Sequence, residues 1–236
     1  MINVDEEYRS LQQIQFFENA NEAFKFYNYA IPAYGLDYGN TKCLFNVGFY
    51  INNPTDNYIS NKSRKWNLDY AKAEWQWYLS GNSNVNKLGK LYGSVPKIWL
   101  NISNDNGEVN SNYGSHWFNS DFCTDTQYCK LIETLKSDTS TRRASLSVYS
   151  MENVELEDTD VPCTYAVNFY ICDNKLNMSV VMRSNDLWFG FCNDQYCFSE
   201  LQKKVFNDIK LIYPDLEIGN YYHFANNLHL YKKQLK

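Results

Sequence analysis

Residues 161–194 read VPCTYAVNFYICDNKLNMSVVMRSNDLWFGFCND, and this stretch decides how the chain folds. Tyr165 to Cys172 and Leu176 to Met182 are short runs rich in Val, Phe, Tyr and Ile, the residues that suit a pleated, half-buried surface. Asp173-Asn174-Lys175 between them reads as a hairpin turn. Asp194 opens a further segment to Ile209 that reads as a helix. Working outward, Thr41–Ile51, Arg143–Tyr149 and Tyr221–Tyr231 read as strands, the last closing the sheet. Three more segments read as helical: Glu6–Ala30, with Leu11, Ile14, Phe17, Ala23 and Phe24 inward; Asp69–Leu79, ended by Gly81; and Asp121–Ser137. Asn52–Asp56 is a turn cluster, and Asn101–Gly114 is polar enough to be a loop. Strands and helices intermix, so the expectation is one α/β (α+β) domain over residues 1–236.

Composition narrows the function. Hydrophobic residues are 44% and charged residues 21%, which excludes wholesale disorder. Aromatics reach 17%, enough to fill a core and still line a pocket with flat rings. The net charge of −5 argues against direct binding to nucleic acid or an anionic membrane, where basic surface supplies the affinity. It leaves room for a small basic pocket. The first residues, MINVDEE, carry neither a basic cap nor an apolar run, so they do not read as a signal peptide. No stretch approaches the roughly 20 apolar residues that cross a bilayer. The expectation is a soluble, cytoplasmic protein. Seven cysteines at irregular spacing, with no C-x-x-C pair and three histidines, read as neither a disulfide framework nor a metal site.

Four local features carry chemistry. Cys163 follows Pro162 at the start of a strand and is either a buried structural thiol or a nucleophile. Arg183-Ser184-Asn185-Asp186, followed by Gly190 and Asn193-Asp194, is polar and crosses from a strand end into a helix. Asp194 there is a helix cap, a site residue, or both. Arg142-Arg143 near a strand start places one arginine inward, as surface charge or as an anion clamp. His229 and Tyr231 share one strand face, as core residues or as ligand contacts.

Together these residues resemble the thymidylate synthase superfamily. The resemblance runs through Glu74-x-x-Trp77-x-Leu79-x-Gly81-x-x-Asn84, Ile98-Trp99, Gly107, Tyr113-Gly114, Arg142-Arg143, Pro162-Cys163, Arg183-Ser184-x-Asp186 and His229-x-Tyr231, from about residue 69 to 231. Within the superfamily, Pro96–Trp99, Gly107–Gly114, Met182–Asp186, Phe189–Asp194 and Leu228–Tyr231 are similar to the branch of phage deoxycytidylate hydroxymethylases, as is Thr164 after the cysteine. The resemblance implies a mixed sheet covered by helices and a homodimer formed through the sheet.

It also implies a reaction: transfer of a one-carbon unit from 5,10-methylenetetrahydrofolate to carbon 5 of a pyrimidine nucleotide, with no metal. Cys163 would add to the base, Glu74 would manage protons and Asp194 would recognise the base. Arg183 and Ser184 would hold the phosphate, joined by Arg142 and Arg143 of a second subunit. Asn193 would lie with the substrate, and His229 and Tyr231 would hold the sugar. Trp77, Trp99, Asp186 and Gly190 would lie by the folate. The family's N-terminal phosphate arginine has no clear counterpart, Lys42 and Arg64 being weak substitutes. Thymidylate synthases carry Asn where this chain has Asp194, and a carboxylate accepts from the amino group of cytosine. The expected product is therefore 5-hydroxymethyl-dCMP. A dCMP methylase, a CMP or dUMP enzyme, and a silent nucleotide-binding homologue remain as alternatives.

Overall fold

The computed structural model describes residues 13–119, 125–151 and 160–235. The readings on residues 1–12 (Leu11 included) and on 120–124, which hold Cys123, lie outside the described residues.

Two long strands form the spine of the sheet. β3 (Thr41–Ile51) runs antiparallel to β8 (Glu217–Tyr231), with Phe49 opposite His223 and Cys43 opposite His229. β8 then runs parallel to β6 (Lys175–Met182), which pairs antiparallel with β5 (Thr164–Cys172). β4 (Ser145–Ser147) closes that side. On the other side β1 (Gln15–Phe17) and β2 (Leu36–Tyr38) add to β3, while β7 (Asn185–Asp186) pairs with β8. The result is a mixed sheet of eight strands. Asp173 and Asn174 both take positive φ, 50° and 57°, in the two-residue β5–β6 turn that fits the strand twist.

Alternation gives the sheet two different faces. Tyr221, His223 and Ala225 of β8, with Phe49 and Ile51 of β3 and Met178 and Val180 of β6, are buried under the helices. The opposite face carries a row of rings. Phe16 stacks on Tyr50 at 5.0 Å, and Tyr50 lies 4.8 Å from Tyr222. Phe16 is 65% exposed, so this row is open among the described residues.

The helices are α1 (Ala20–Tyr34), α2 (Leu68–Leu79), α3 (Val85–Tyr92), α4 (Lys97–Ile102), α5 (Tyr113–Phe118), α6 (Gln127–Ser137) and α7 (Cys192–Lys210). Local capping sets several starts. Asn19 accepts from Glu22 N before α1, Asn67 accepts from Asp69 N and Tyr70 N before α2, and Thr126 accepts from Cys129 N before α6. α7 is tied to the sheet by Gln202, whose buried amide donates to Leu176 O at 2.9 Å. No described helix is long and apolar enough to cross a membrane.

Several expectations change here. Residues 15–17 are a strand, because the backbone pairs in parallel with Phe49–Ile51, and the helix begins only after the Asn19 cap. Ile14 is exposed, whereas Phe17, Ala23 and Phe24 are buried as expected. The stretch 101–114 is a loop only in its middle, since it holds the end of α4 and the start of α5. Within 143–149, only Ser145–Ser147 pairs as a strand. Arg142 and Arg143 precede it and both are exposed, so neither points inward.

α5 crosses α2 at Gly114, where a Cβ would overlap the backbone of Tyr78. Gly114→Ala should therefore force the helices apart and lower stability by about 1–3 kcal/mol, read as a lower urea midpoint. An unchanged midpoint would mean that the crossing yields freely.

Candidate active site

Three neighbouring strands deliver their ends to one place. Cys163 immediately precedes β5, Arg183 and Ser184 follow β6, and His229 and Tyr231 lie near the end of β8. β5 and β6 are antiparallel and β6 and β8 are parallel, so these three ends meet. They border a cavity of about 560 Å³, which α2 walls with Glu74 and α4 with Trp99. Asp186, Gly190, Asn193 and Asp194 line it from the turn that leads into α7. Arg183, Ser184, His229 and Tyr231 also border an adjoining hollow of about 680 Å³, with Tyr38, Thr41 and Asn46.

Arg183 braces the cysteine loop. Its Nε donates to Pro162 O at 2.9 Å, one terminal nitrogen donates to Val161 O at 2.6 Å, and its backbone N–H donates to Cys163 O at 2.8 Å. Burial pushes the Cys163 thiol up to about 11, against the pull of the Arg183 charge. The resting group is a thiol with a cation beside it, and that cation favours the thiolate once the proton leaves.

Two carboxyl groups face the same cavity. Glu74 is 4% exposed, and Tyr70 OH donates to its Oε1 at 3.1 Å. The Trp99 indole N–H donates in turn to Tyr70 OH at 2.7 Å. Glu74 Oε2 is buried with no hydrogen-bond partner among the described residues. Burial, and then the Asp194 charge, push Glu74 up to about 8. Asp194 is pushed up to about 7, again mainly by burial, while Asn185 Nδ2 donates to its Oδ2 at 2.7 Å. Gly190 leaves room for this pair, since a Cβ there would sit 3.1 Å from Asn185 Nδ2 and 3.2 Å from Asp194 Oδ2.

The polar wall is ordered as well. His229 Nδ1 donates to Asn227 Oδ1 at 2.9 Å, so the neutral ring presents Nε2 as an acceptor. Burial lowers its proton affinity. Asn193 Oδ1 accepts from the Trp66 indole at 2.8 Å. Asp186 Oδ1 accepts from Trp188 N at 2.8 Å, which starts the single π-type turn Leu187–Phe191 ahead of α7. Such turns occur frequently at functional sites.

Twelve expected residues fall in one region; Cys163, Glu74, Asp194, Arg183, Ser184, Asn193, His229, Tyr231, Trp99, Asp186 and Gly190 line the cavity itself, and Trp77 stands behind it. Trp77 is fully buried edge-on to Trp99 at 5.1 Å, so it is a core ring rather than a ligand wall. Arg142 and Arg143 do not line the cavity. Neither substitute phosphate residue reaches it: Lys42 donates to Pro32 O, and Arg64 donates to Trp188 O and lies over the Phe189 ring. Tyr70 and Asp160 also line the cavity although neither was among the expected residues, and Asn185 and Tyr113 line it from motifs singled out above. Tyr70 lies four residues before Glu74, a helical spacing visible in the sequence. Asp160, held by Ser111, had no such signal.

A family model described as thymidylate synthase matches residues 41–236. The deoxycytidylate 5-hydroxymethyltransferase of Enterobacteria phage T6 is 30% identical over 175 residues, covering 71% of this chain and 68% of that protein. The enzyme of the same name from Enterobacteria phage T4 is 32% identical over 149 residues, 61% of this chain and 58% of that protein. The deoxyuridylate hydroxymethyltransferase of Bacillus phage SP01 is 28% identical over 180 residues, 72% of this chain and 45% of that protein. The match to the last two thus spans less than two thirds of their length.

The raised carboxyls make stability depend on pH. Between the ordinary glutamate value of 4.5 and about 8, the native state keeps a proton on Glu74 that the unfolded chain releases. The stability that Glu74 contributes is therefore fully present below that window and is lost as pH rises through it. In Glu74→Gln this loss should shrink, and the thermal midpoint should decline less between about pH 5 and about pH 8. The difference should amount to several degrees, at roughly 2–4 °C per kcal/mol for a chain of this size. Parallel curves for the two proteins would show that Glu74 titrates as an ordinary surface acid.

Proposed function

Because the chain belongs to the thymidylate synthase family, we propose that it is a dCMP hydroxymethylase, converting dCMP to 5-hydroxymethyl-dCMP for base-modified DNA. The observation that carries this reading is Asp194, a carboxyl at the cavity whose Oδ2 is held by Asn185. Cytosine offers an amino donor and an unprotonated ring nitrogen. A carboxyl accepts from the first, and in its protonated form donates to the second. With Asp194 raised to about 7, both forms are accessible near neutrality. The Asn that thymidylate synthases resemble one another in carrying here suits uracil instead.

The lining of the cavity supports a flat folate as the one-carbon donor. Ile98, Trp99, Ile102 and Phe189 give it apolar surface, and Asp186 and Gly190 line it as well, Gly190 without a side chain. Methylenetetrahydrofolate supplies the one-carbon unit when bound. The chain's own residues do the rest. Cys163 Sγ adds to carbon 6 of the base, which makes carbon 5 electron-rich. Glu74 moves protons at the ring and orders water. Arg183 and Ser184 hold the phosphate, and His229 Nε2 and Tyr231 hold the sugar hydroxyl. Asn193 helps to seat the substrate.

The open face with Phe16, Tyr50 and Tyr222 supports a homodimer built through the sheet. The exposed Arg142 and Arg143 then reach the partner's phosphate site beside Arg183. This arrangement accounts for a hollow next to Arg183 that holds no other cation among its lining residues.

Incubating the protein with dCMP, CMP or dUMP and methylenetetrahydrofolate, then weighing the products, tests the reaction. The expected product is hydroxymethylated dCMP; a methylated product, or reaction with dUMP alone, overturns the reading. Cys163→Ser should abolish turnover, and Asp194→Asn should move preference toward dUMP. Retained turnover or an unchanged preference would remove those residues from their roles. Subunit sharing has its own test. Inactive Cys163→Ser protein, exchanged with an Arg142→Ala/Arg143→Ala double variant, should regain turnover through hybrid dimers. A mixture as inactive as its parts contradicts sites shared between subunits.

A further inference from the structure

Glu74 is held by a donor chain that begins on another helix. The Trp99 indole N–H donates to Tyr70 OH at 2.7 Å, and Tyr70 OH donates to Glu74 Oε1 at 3.1 Å. We propose that Tyr70 is a positioning residue which, with Trp99, fixes the proton of Glu74 on Oε2 and so presents it to the substrate. The proposal rests on the reading of Glu74 as the group that handles protons at the base.

Hydrogen counting carries the argument. An indole nitrogen can only donate, whereas a phenol has one hydrogen to give. Trp99 occupies an acceptor position on Tyr70, so the single phenolic hydrogen turns to Glu74. Oε1 is then an acceptor, and a proton on the carboxyl must sit on Oε2. Oε2 is the oxygen with no partner among the described residues, on a side chain that borders the cavity. The Tyr92 ring, edge-on to Tyr70 at 5.2 Å, keeps the phenol in place.

The other titratable groups do not replace this donor. Tyr78 on α2 and Cys197 on α7 are deeply buried neutral groups whose proton affinity is raised by that burial. Asp194 on α7 faces Glu74 with the same sign of charge and favours its protonated form. Tyr70 is the group that stabilises the Glu74 carboxylate. Loss of its hydroxyl leaves Oε1 without that donor and lets the acid keep its proton to higher pH.

Infrared titration of the carboxylic-acid carbonyl in the ligand-free protein reads this directly, with Glu74→Gln identifying the band. Tyr70→Phe should raise the midpoint by roughly one pH unit, a tenfold gain in proton affinity. Trp99→Phe keeps the hydroxyl but frees it to turn away, so the shift should have the same sign and be smaller. In turnover, Tyr70→Phe should lower kcat about tenfold or more, change KM for the nucleotide less than about threefold, and move the alkaline limb upward. An unmoved or lowered infrared midpoint in Tyr70→Phe overturns the proposal. A raised midpoint in a protein whose wild type makes no hydroxymethylated nucleotide supports the proton placement and tells against the reaction instead.

Discussion

Two carboxyl groups share a buried site without a cation between them, and the rest of the site is arranged around that constraint. None of the ion pairs among the described residues involves Glu74 or Asp194. Burying a carboxylate without a counter-charge is costly, and the chain meets that cost by raising the proton affinity of both acids and giving each a neutral donor. Asn185 serves Asp194, and Tyr70 serves Glu74. The pKa values near 8 and 7 follow from this, and they place both groups where proton transfer at neutral pH is least hindered.

The sheet converts distant sequence into one geometry. Arg183 lies 20 residues after Cys163, yet its backbone bonds directly to Cys163 O because the β5–β6 hairpin folds one onto the other. His229 is farther still, and it arrives by the parallel pairing of β7 with β8, which sets Asp186 opposite it. The same sheet carries an open aromatic row, Phe16, Tyr50 and Tyr222, on its other face.

What the sequence discloses and what it withholds follow physical lines. The span of β3 and the Asp173-Asn174 turn were legible because alternation and turn chemistry are local properties. The cluster around Cys163, Arg183 and Asp194 was legible because its spacing resembles a family. β1 was not legible, since Gln15-Phe16-Phe17 beside a helix reads as more helix and only pairing with β3 makes it a strand. Helical spacing could not separate Trp77 from Trp99: one is core and the other is wall, a difference set by where α4 docks. The two arginines failed the same way, because the face they take depends on where β4 begins to pair. Tyr70 was visible beside Glu74, but its role requires an indole from another helix.

The central claim is that the Asp194 carboxyl selects cytosine. Calorimetric titration of the wild-type protein with dCMP and dUMP, side by side at neutral pH, tests it most directly. The account predicts that dCMP binds at least about tenfold more tightly, a difference of roughly 1.4 kcal/mol. Equal affinities, or tighter binding of dUMP, would contradict it.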